Sequence, residues 1–208
     1  RDAIAWHQYL PQQRTVEYTV GTYEEIVPGI FHRLTGALTS KGLQILSAEI
    51  NTLADGLVID RFYCIDSDNT DQPDPGRIKQ IEEALVQALK APTESPPVFR
   101  KLWNASSQAR VAKLSNLPTN VRIDSSTSER FTIIDVFTHD RMGLLYAITR
   151  TLFELGLSVG VAKIGTHLDQ VVDVFYVVDQ SGRKITDEDQ LDRIRERLLN
   201  AIRETESN

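Results

Sequence analysis

One cysteine, Cys64, is all that 208 residues carry. No internal disulfide can form, and a thiolate metal site, which needs several ligands, is excluded with it. Cys64 stands in a strand-like run between Tyr63 and Ile65 and reads as a plain buried thiol, packed as a small hydrophobe. No apolar run approaches the roughly 18–20 residues of a membrane-spanning helix. Arg1-Asp2-Ala3-Ile4-Ala5-Trp6-His7 lacks the charged start and apolar core of a signal peptide. The expectation is a soluble, cytoplasmic protein. Positive charge is also short: 23 Lys and Arg against 29 Asp and Glu leave a net charge of −6. That disfavours a general binder of nucleic acid or of anionic membranes. An initiator methionine is missing, and the reading is a piece of a longer protein.

What is present is an ordinary globular composition, 41% hydrophobic and 25% charged, long enough for one or two domains with cores of their own. The chain is organised around Phe131 to Asp179. A β-branched and aromatic run, Phe131 to Thr138, leads into the polar loop His139-Asp140-Arg141-Met142-Gly143. An amphipathic segment follows with Leu144, Ile148, Leu152 and Leu155 on one face, and Gly156 stops it. Leu157 to Thr166 and Val171 to Val178 then read as two strands.

The same unit occurs twice. Adding 114 takes Gly29 to Gly143, Leu38 to Leu152, Gly42 to Gly156, Ala48 to Ala162 and Ile50 to Ile164. After a hairpin turn one residue shorter, adding 113 takes Val58 to Val171, Asp60 to Asp173, Phe62 to Phe175, Asp66 to Asp179 and Asp74 to Asp187. A single slip across so many matches marks an internal duplication, far longer than a solenoid period.

Residues 1 to about 14 read as the tail of an incoming helix, ending near Leu10-Pro11 because proline cannot continue one. The first domain, 15–91, opens with a strand over Thr15 to Val20 and a loop over Gly21 to Pro28. Gly29 then starts a helix with Ile30, Leu34 and Leu38 on one face. Strands at Leu43 to Leu53 and Leu57 to Ile65 turn at Asp55-Gly56. Asp74 caps a second helix with Pro75 at its first position and an Ile78, Ile81, Leu85, Leu89 stripe. Residues 92–118 begin Pro92-Thr93-Glu94-Ser95-Pro96-Pro97 and read as a linker, with Phe99, Leu102 and Trp103 expected to pack across the domains. The second domain, 119–208, begins with an extra strand at Val121-Arg122-Ile123, expected beside the strand that opens at Phe131. Its last helix, Asp187 to about Arg203, leaves too few residues for a closing strand. The fold class is α+β: two ferredoxin-like βαββαβ domains, helices on one face of a mostly antiparallel sheet. The source of the first domain's edge strand is left open.

A helix start offers unpaired N–H groups and partial positive charge, suited to a carboxylate or phosphate. Gly143 removes the Cβ that would block close approach. Asp140 can accept from an ammonium and Arg141 can hold a second acid group, which together suit an α-amino acid. The same residues read equally as a turn glycine and a helix cap.

Other signals are set aside. His139-Asp140 imitates a metal phosphohydrolase dipeptide, but the other histidines, His7, His32 and His167, stand alone. Asp66-Ser67-Asp68 imitates paired Mg²⁺ ligands, yet lies in a run of turn-forming residues and reads as a solvated turn. RNA recognition on this fold needs exposed aromatics and a basic surface. An acylphosphatase-like phosphatase, cradling phosphate with Arg141, is the enzyme alternative.

Asp140-Arg141-x-Gly143-Leu144-Leu145, then Leu155-Gly156-Leu157, Ala162-x-Ile164-x-Thr166 and Val172-Asp173-x-Phe175-Tyr176-Val177 together resemble the ACT domain, a small-molecule-sensing module. Tandem copies after Ile4-Ala5-Trp6-His7 are similar to the C-terminal end of the bacterial enzymes that uridylylate and deuridylylate the nitrogen signal protein PII. The resemblance implies a regulatory region without catalysis of its own, sensing L-glutamine or another small amino acid. It implies a parent nucleotidyltransferase with uridylyl-removing activity, whose catalytic domains and PII are its partners. No cofactor and no metal are implied, and a homodimer is left open. The implied ligand residues are Asp140, Arg141, Met142, Gly143, Leu144, Leu145, Ala162 and Ile164, with Pro28, Gly29 and Ile30 from the first copy. Met142 stands where the family has proline, and the first copy has Ile26 and Val27 at the Asp and Arg positions. A sensor of the same fold attached to another enzyme is the alternative.

Overall fold

The computed structural model describes residues 2–23, 25–53, 55–66, 73–91, 97–99, 118–167 and 170–206. The chain divides into two compact units, Arg1–Arg100 and Lys101–Asn208. Most of the linker falls outside the described residues, Leu102 and Trp103 included, and with it the expectation that it packs across the domains.

The first unit runs β1 (Ile4–Leu10), β2 (Thr15–Tyr23), α1 (Ile30–Ser40), β3 (Leu43–Thr52), β4 (Leu57–Asp66) and α2 (Pro75–Lys90). Its strands lie in the order β1-β2-β4-β3, each pair antiparallel. On β4 the buried positions alternate strictly: Val58, Asp60, Phe62, Cys64 and Asp66 point inward and the residues between them do not. Facing them, α1 buries Leu34 and Leu38, and α2 buries Ile78, Ile81, Leu85 and Leu89. The inward stripe read from the sequence is the core.

Residues 4–10 correct the expectation of a helix tail. They form β1, paired with β2 from Ile4↔Gly21 to Leu10↔Thr15. Pro11 does not end a helix. It sits in the four-residue hairpin turn, where Gln13 N–H donates to the Leu10 carbonyl at 3.1 Å and Arg14 N–H to that of Pro11 at 3.3 Å. Proline suits either place, because it fixes φ and lacks a donor. What decides is the open edge of β2, whose N–H and C=O groups need partners. This strand also supplies the edge that the duplicated βαββα unit lacks.

The second unit repeats the plan with β5 (Asn120–Asp124), β6 (Thr132–His139), α3 (Leu144–Glu154), β7 (Ser158–His167), β8 (Gln170–Val178) and α4 (Glu188–Glu204). Its order is β5-β6-β8-β7, again antiparallel throughout. The strand expected at Val121 to Ile123 pairs with β6 at the edge. Even the irregularities are duplicated: β3 slips register between Ile45 and Ser47, and β7 between Val159 and Val161, positions 114 residues apart. Each copy buries one phenylalanine completely, Phe62 and Phe175.

Asp74 and Asp187 cap α2 and α4, accepting from Arg77 N–H at 2.8 Å and Gln190 N–H at 2.9 Å. Asp74→Ala and Asp187→Ala should each cost about 1 kcal/mol, read as a lower urea midpoint at unchanged slope. Asp66 is buried rather than solvated. It ends β4 and receives Arg77 Nε at 3.0 Å, tying the strand to α2. Cys64 is buried and free, and burial pushes its thiol well up. Among the described residues no helix is long and apolar enough to cross a membrane.

Candidate functional site

Among the described residues, α1 to α4 begin in two different ways. α2 and α4 are closed by aspartate caps, and α4 adds Glu188 and Asp189 in its first turn. α1 and α3 follow a strand directly, through a loop ending in a left-handed glycine, Gly29 at φ 72° and Gly143 at φ 77°. Neither has a side-chain cap or an acid in its first turn. First-turn N–H groups without a side-chain acceptor are therefore a property of the two strand–loop–helix junctions, the same place in each unit.

In the second unit the junction carries charge. Asp140 is exposed, but the protein around it still lifts its carboxyl above the usual range against the pull of Arg141. Arg141 is folded inward: Nη2 donates to Thr138 Oγ1 at 3.1 Å, Nε to the His139 carbonyl at 3.3 Å, and Nη1 pairs with Glu206 at 3.0 Å. The guanidinium thus binds the end of β6 to the segment after α4. Met142 is exposed, Gly143 and Leu145 are half-buried, and Leu144 is buried. Ala162, fully buried, and Ile164 lie on β7 opposite Phe175 and Asp173 and offer no polar side chain.

The first unit has a different junction on the same frame. Pro28 is exposed, with Gly29 and Ile30 half-buried. Val27, buried, occupies the position that Arg141 has in the second copy. The His32 ring folds back over the α-carbon of Gly29, and His32 is itself only 1% exposed.

Beneath both junctions lies a residue whose burial the sequence reading missed. Asp60 and Asp173, each 1% exposed, occupy equivalent positions on the central strands β4 and β8. Burial pushes the Asp60 carboxyl up to about 7, with only the Asn51 N–H pulling the other way. It pushes Asp173 up to about 8, where the Gly165 N–H lowers it and the charge of Asp140 raises it further. Gly165 N–H lies 3.3 Å from Asp173 Oδ1. The coupling to Asp140 places Asp173 at the foot of the loop. A signal was available: the even-numbered residues of β4 and the odd-numbered residues of β8 face the core, and an aspartate at an inward position departs from that apolar pattern. Asp140, Arg141 and Gly143 are brought together over Asp173, whereas Pro28, Gly29 and Ile30 form the first unit's own junction.

Residues 120–205 match the family described as ACR9-like, ACT-like domain. Over longer spans the chain is similar to bifunctional uridylyltransferase/uridylyl-removing enzymes. It is 34% identical to that of Gluconobacter oxydans over 195 residues, 93% of this chain and 20% of the other. To that of Azospirillum brasilense it is 35% identical over 175 residues, 84% of this chain and 18% of the other. To that of Rhodospirillum rubrum it is 32% identical over 201 residues, 94% and 20%. The chain thus spans about a fifth of the length of these relatives. Among solved structures, one titled an unknown protein from Galdieria sulphuraria covers 98% of the chain and is covered to 94%, at 12% identity and a TM-score of 0.28, too slight a likeness to bear on the fold.

Proposed function

We propose that this chain, whose residues 120–205 match an ACT-like domain and which is similar to one region of the uridylyltransferase/uridylyl-removing enzymes, is the amino-acid-sensing, regulatory end of such an enzyme, with L-glutamine as ligand. The observation that carries the reading is the pair of uncapped helix starts, one in each unit, with Asp140 beside the second. In this reading the glutamine carboxylate meets the first-turn N–H groups of α3 near Gly143 to Leu145, and its ammonium meets Asp140. Arg141 acts chiefly by holding the loop, since its guanidinium is already engaged with Thr138, His139 and Glu206. Glutamine would favour one arrangement of a cytoplasmic parent's domains over another. The difference in binding energy would set the balance between adding UMP to PII and removing it.

The test is calorimetric titration of L-glutamine into this chain, with L-glutamate and L-alanine as controls. Selective binding of glutamine at about −8 to −4 kcal/mol, micromolar to millimolar, is the expected result. Asp140→Ala should weaken it about tenfold or more, the loss of one charge-assisted contact. Equal binding of all three amino acids, or of none, would sink the glutamine reading.

A further inference from the structure

Arg141 stands just before the start of α3, where an arginine can take an acid group from outside, and the folded chain fills that place itself. Two of the three guanidinium nitrogens serve the end of β6: Nε donates to the His139 carbonyl at 3.3 Å and Nη2 to Thr138 Oγ1 at 3.1 Å. The third, Nη1, lies 3.0 Å from Glu206 Oε1. Glu206 is held in position by its own turn. Its N–H donates to the Arg203 carbonyl at 2.9 Å, Thr205 Oγ1 donates to that of Ile202 at 2.6 Å, and Ile202 is fully buried. The turn after α4 therefore presents the carboxylate from a fixed frame, with the Glu206 side chain 47% exposed and that of Arg141 17%. A carboxylate against a guanidinium is the contact that an acidic ligand side chain would itself make.

We propose that Glu206 is a resident carboxylate on Arg141 that sets the side-chain specificity of the second unit's junction, admitting an amino acid with a neutral side chain, L-glutamine, and turning away its acidic analogue, L-glutamate. The inference rests on the amino-acid-sensing reading and deepens it, assigning the discrimination to one residue outside the loop. The argument is one of charge. Asp140 already places one carboxyl beside Arg141, and Glu206 adds a second, so the guanidinium is answered before any ligand arrives. Glutamine, a zwitterion of no net charge, leaves that balance as it stands. Glutamate brings a further carboxylate, which must either expel Glu206 from Nη1 or lie among like charges, and both count against it. An amide and a carboxylate are close to the same size and shape, so packing alone separates them poorly and charge has to do it. Val27, buried, stands in the first unit where Arg141 stands in the second, so the device belongs to the second unit.

The experiment is calorimetric titration of the 208-residue chain with L-glutamine and, separately, with L-glutamate, comparing wild type, Glu206→Gln and Glu206→Asp. Wild type should prefer glutamine by about tenfold or more, the scale of a like-charge penalty. Glu206→Gln should narrow that ratio by about tenfold, almost wholly by gaining affinity for glutamate. Glu206→Asp, which keeps the charge, should keep the preference. A merely structural role for Glu206 would lower both affinities together and leave their ratio alone. The three chains should melt close to one another, since a part-exposed ion pair contributes little to stability. Added salt gives a second readout that needs no variant: screening the pair should narrow the wild-type ratio. A Glu206→Gln chain that binds glutamine and still rejects glutamate as strongly as wild type would overturn this inference alone. A wild type that binds neither amino acid, or both equally, would overturn it together with the reading beneath it.

Discussion

The chain should lose stability steadily as pH rises from about 4 to about 8, and Asp60→Asn combined with Asp173→Asn should remove most of that slope. An unfolded aspartate titrates near 3.8, whereas burial moves Asp60 to about 7 and Asp173 to about 8. Below the unfolded value both states carry the proton and neither group affects the balance. Between the unfolded and folded values the native chain holds protons that the unfolded chain has released, so each step up in pH favours unfolding. Above about 8 both carboxyls are ionised in either state, and the loss is complete. About 1.4 kcal/mol goes with each unit of separation, so the two groups together weigh heavily against the marginal stability of an ordinary domain. The groups facing them are few. Asp60 lies between Val20 and Ile50 with the Asn51 N–H alone opposing the shift, and Asp173 has the Gly165 N–H and the charge of Asp140. Urea midpoints at pH 5, 6, 7 and 8 measure the slope. A flat wild-type profile, or a double variant that slopes as steeply, would show that the carboxyls titrate normally.

The duplication was legible because each boundary in it has a local cause. Gly42 and Gly156 stop their helices at φ 81° and 71°, and Asp74 and Asp187 cap theirs. The inward stripe of β4 and of β6 has a strict period of two. None of these depends on what the rest of the chain does. The misread segment is different in kind. Ile4 at 59% exposure and Trp6 at 43% show that β1 buries little of itself, so its sequence carries only a faint alternation. Its identity comes from the edge of β2 that it completes. The candidate site divides in the same way. Gly29, Gly143 and Asp140 announce themselves at a helix start, but Arg141's salt bridge to Glu206 joins residues far apart in sequence, and only the folded chain selects that partner. Asp60 and Asp173 were visible as a matched pair. That they are buried, and that only one of them has a hydrogen-bond partner among the described residues, follows from the packing around them.

Gly29→Ala should be far more damaging than Gly143→Ala, and asparagine at the second position should separate folding from binding. Both glycines sit in the left-handed region, where a Cβ costs about 1–2 kcal/mol. At Gly29 a Cβ would also fall 2.0 Å from His32 Cε1 and 2.5 Å from Nδ1. His32 is only 1% exposed, so its ring cannot yield without disturbing its surroundings, and overpacking of this kind adds about 1–3 kcal/mol. The total for Gly29→Ala is about 3 kcal/mol or more, against the backbone cost of about 1–2 kcal/mol for Gly143→Ala, read from urea midpoints. Asparagine tolerates left-handed backbone better than other residues with a Cβ, so Gly143→Asn should keep nearly all the stability. Its side chain nevertheless stands at the start of α3, where the ligand carboxylate is to approach, and can cap the first-turn N–H groups itself. Glutamine affinity at the second unit should fall tenfold or more while the fold is retained. A Gly143→Asn chain that binds glutamine as tightly as wild type would place the ligand carboxylate elsewhere and remove the helix start from the site.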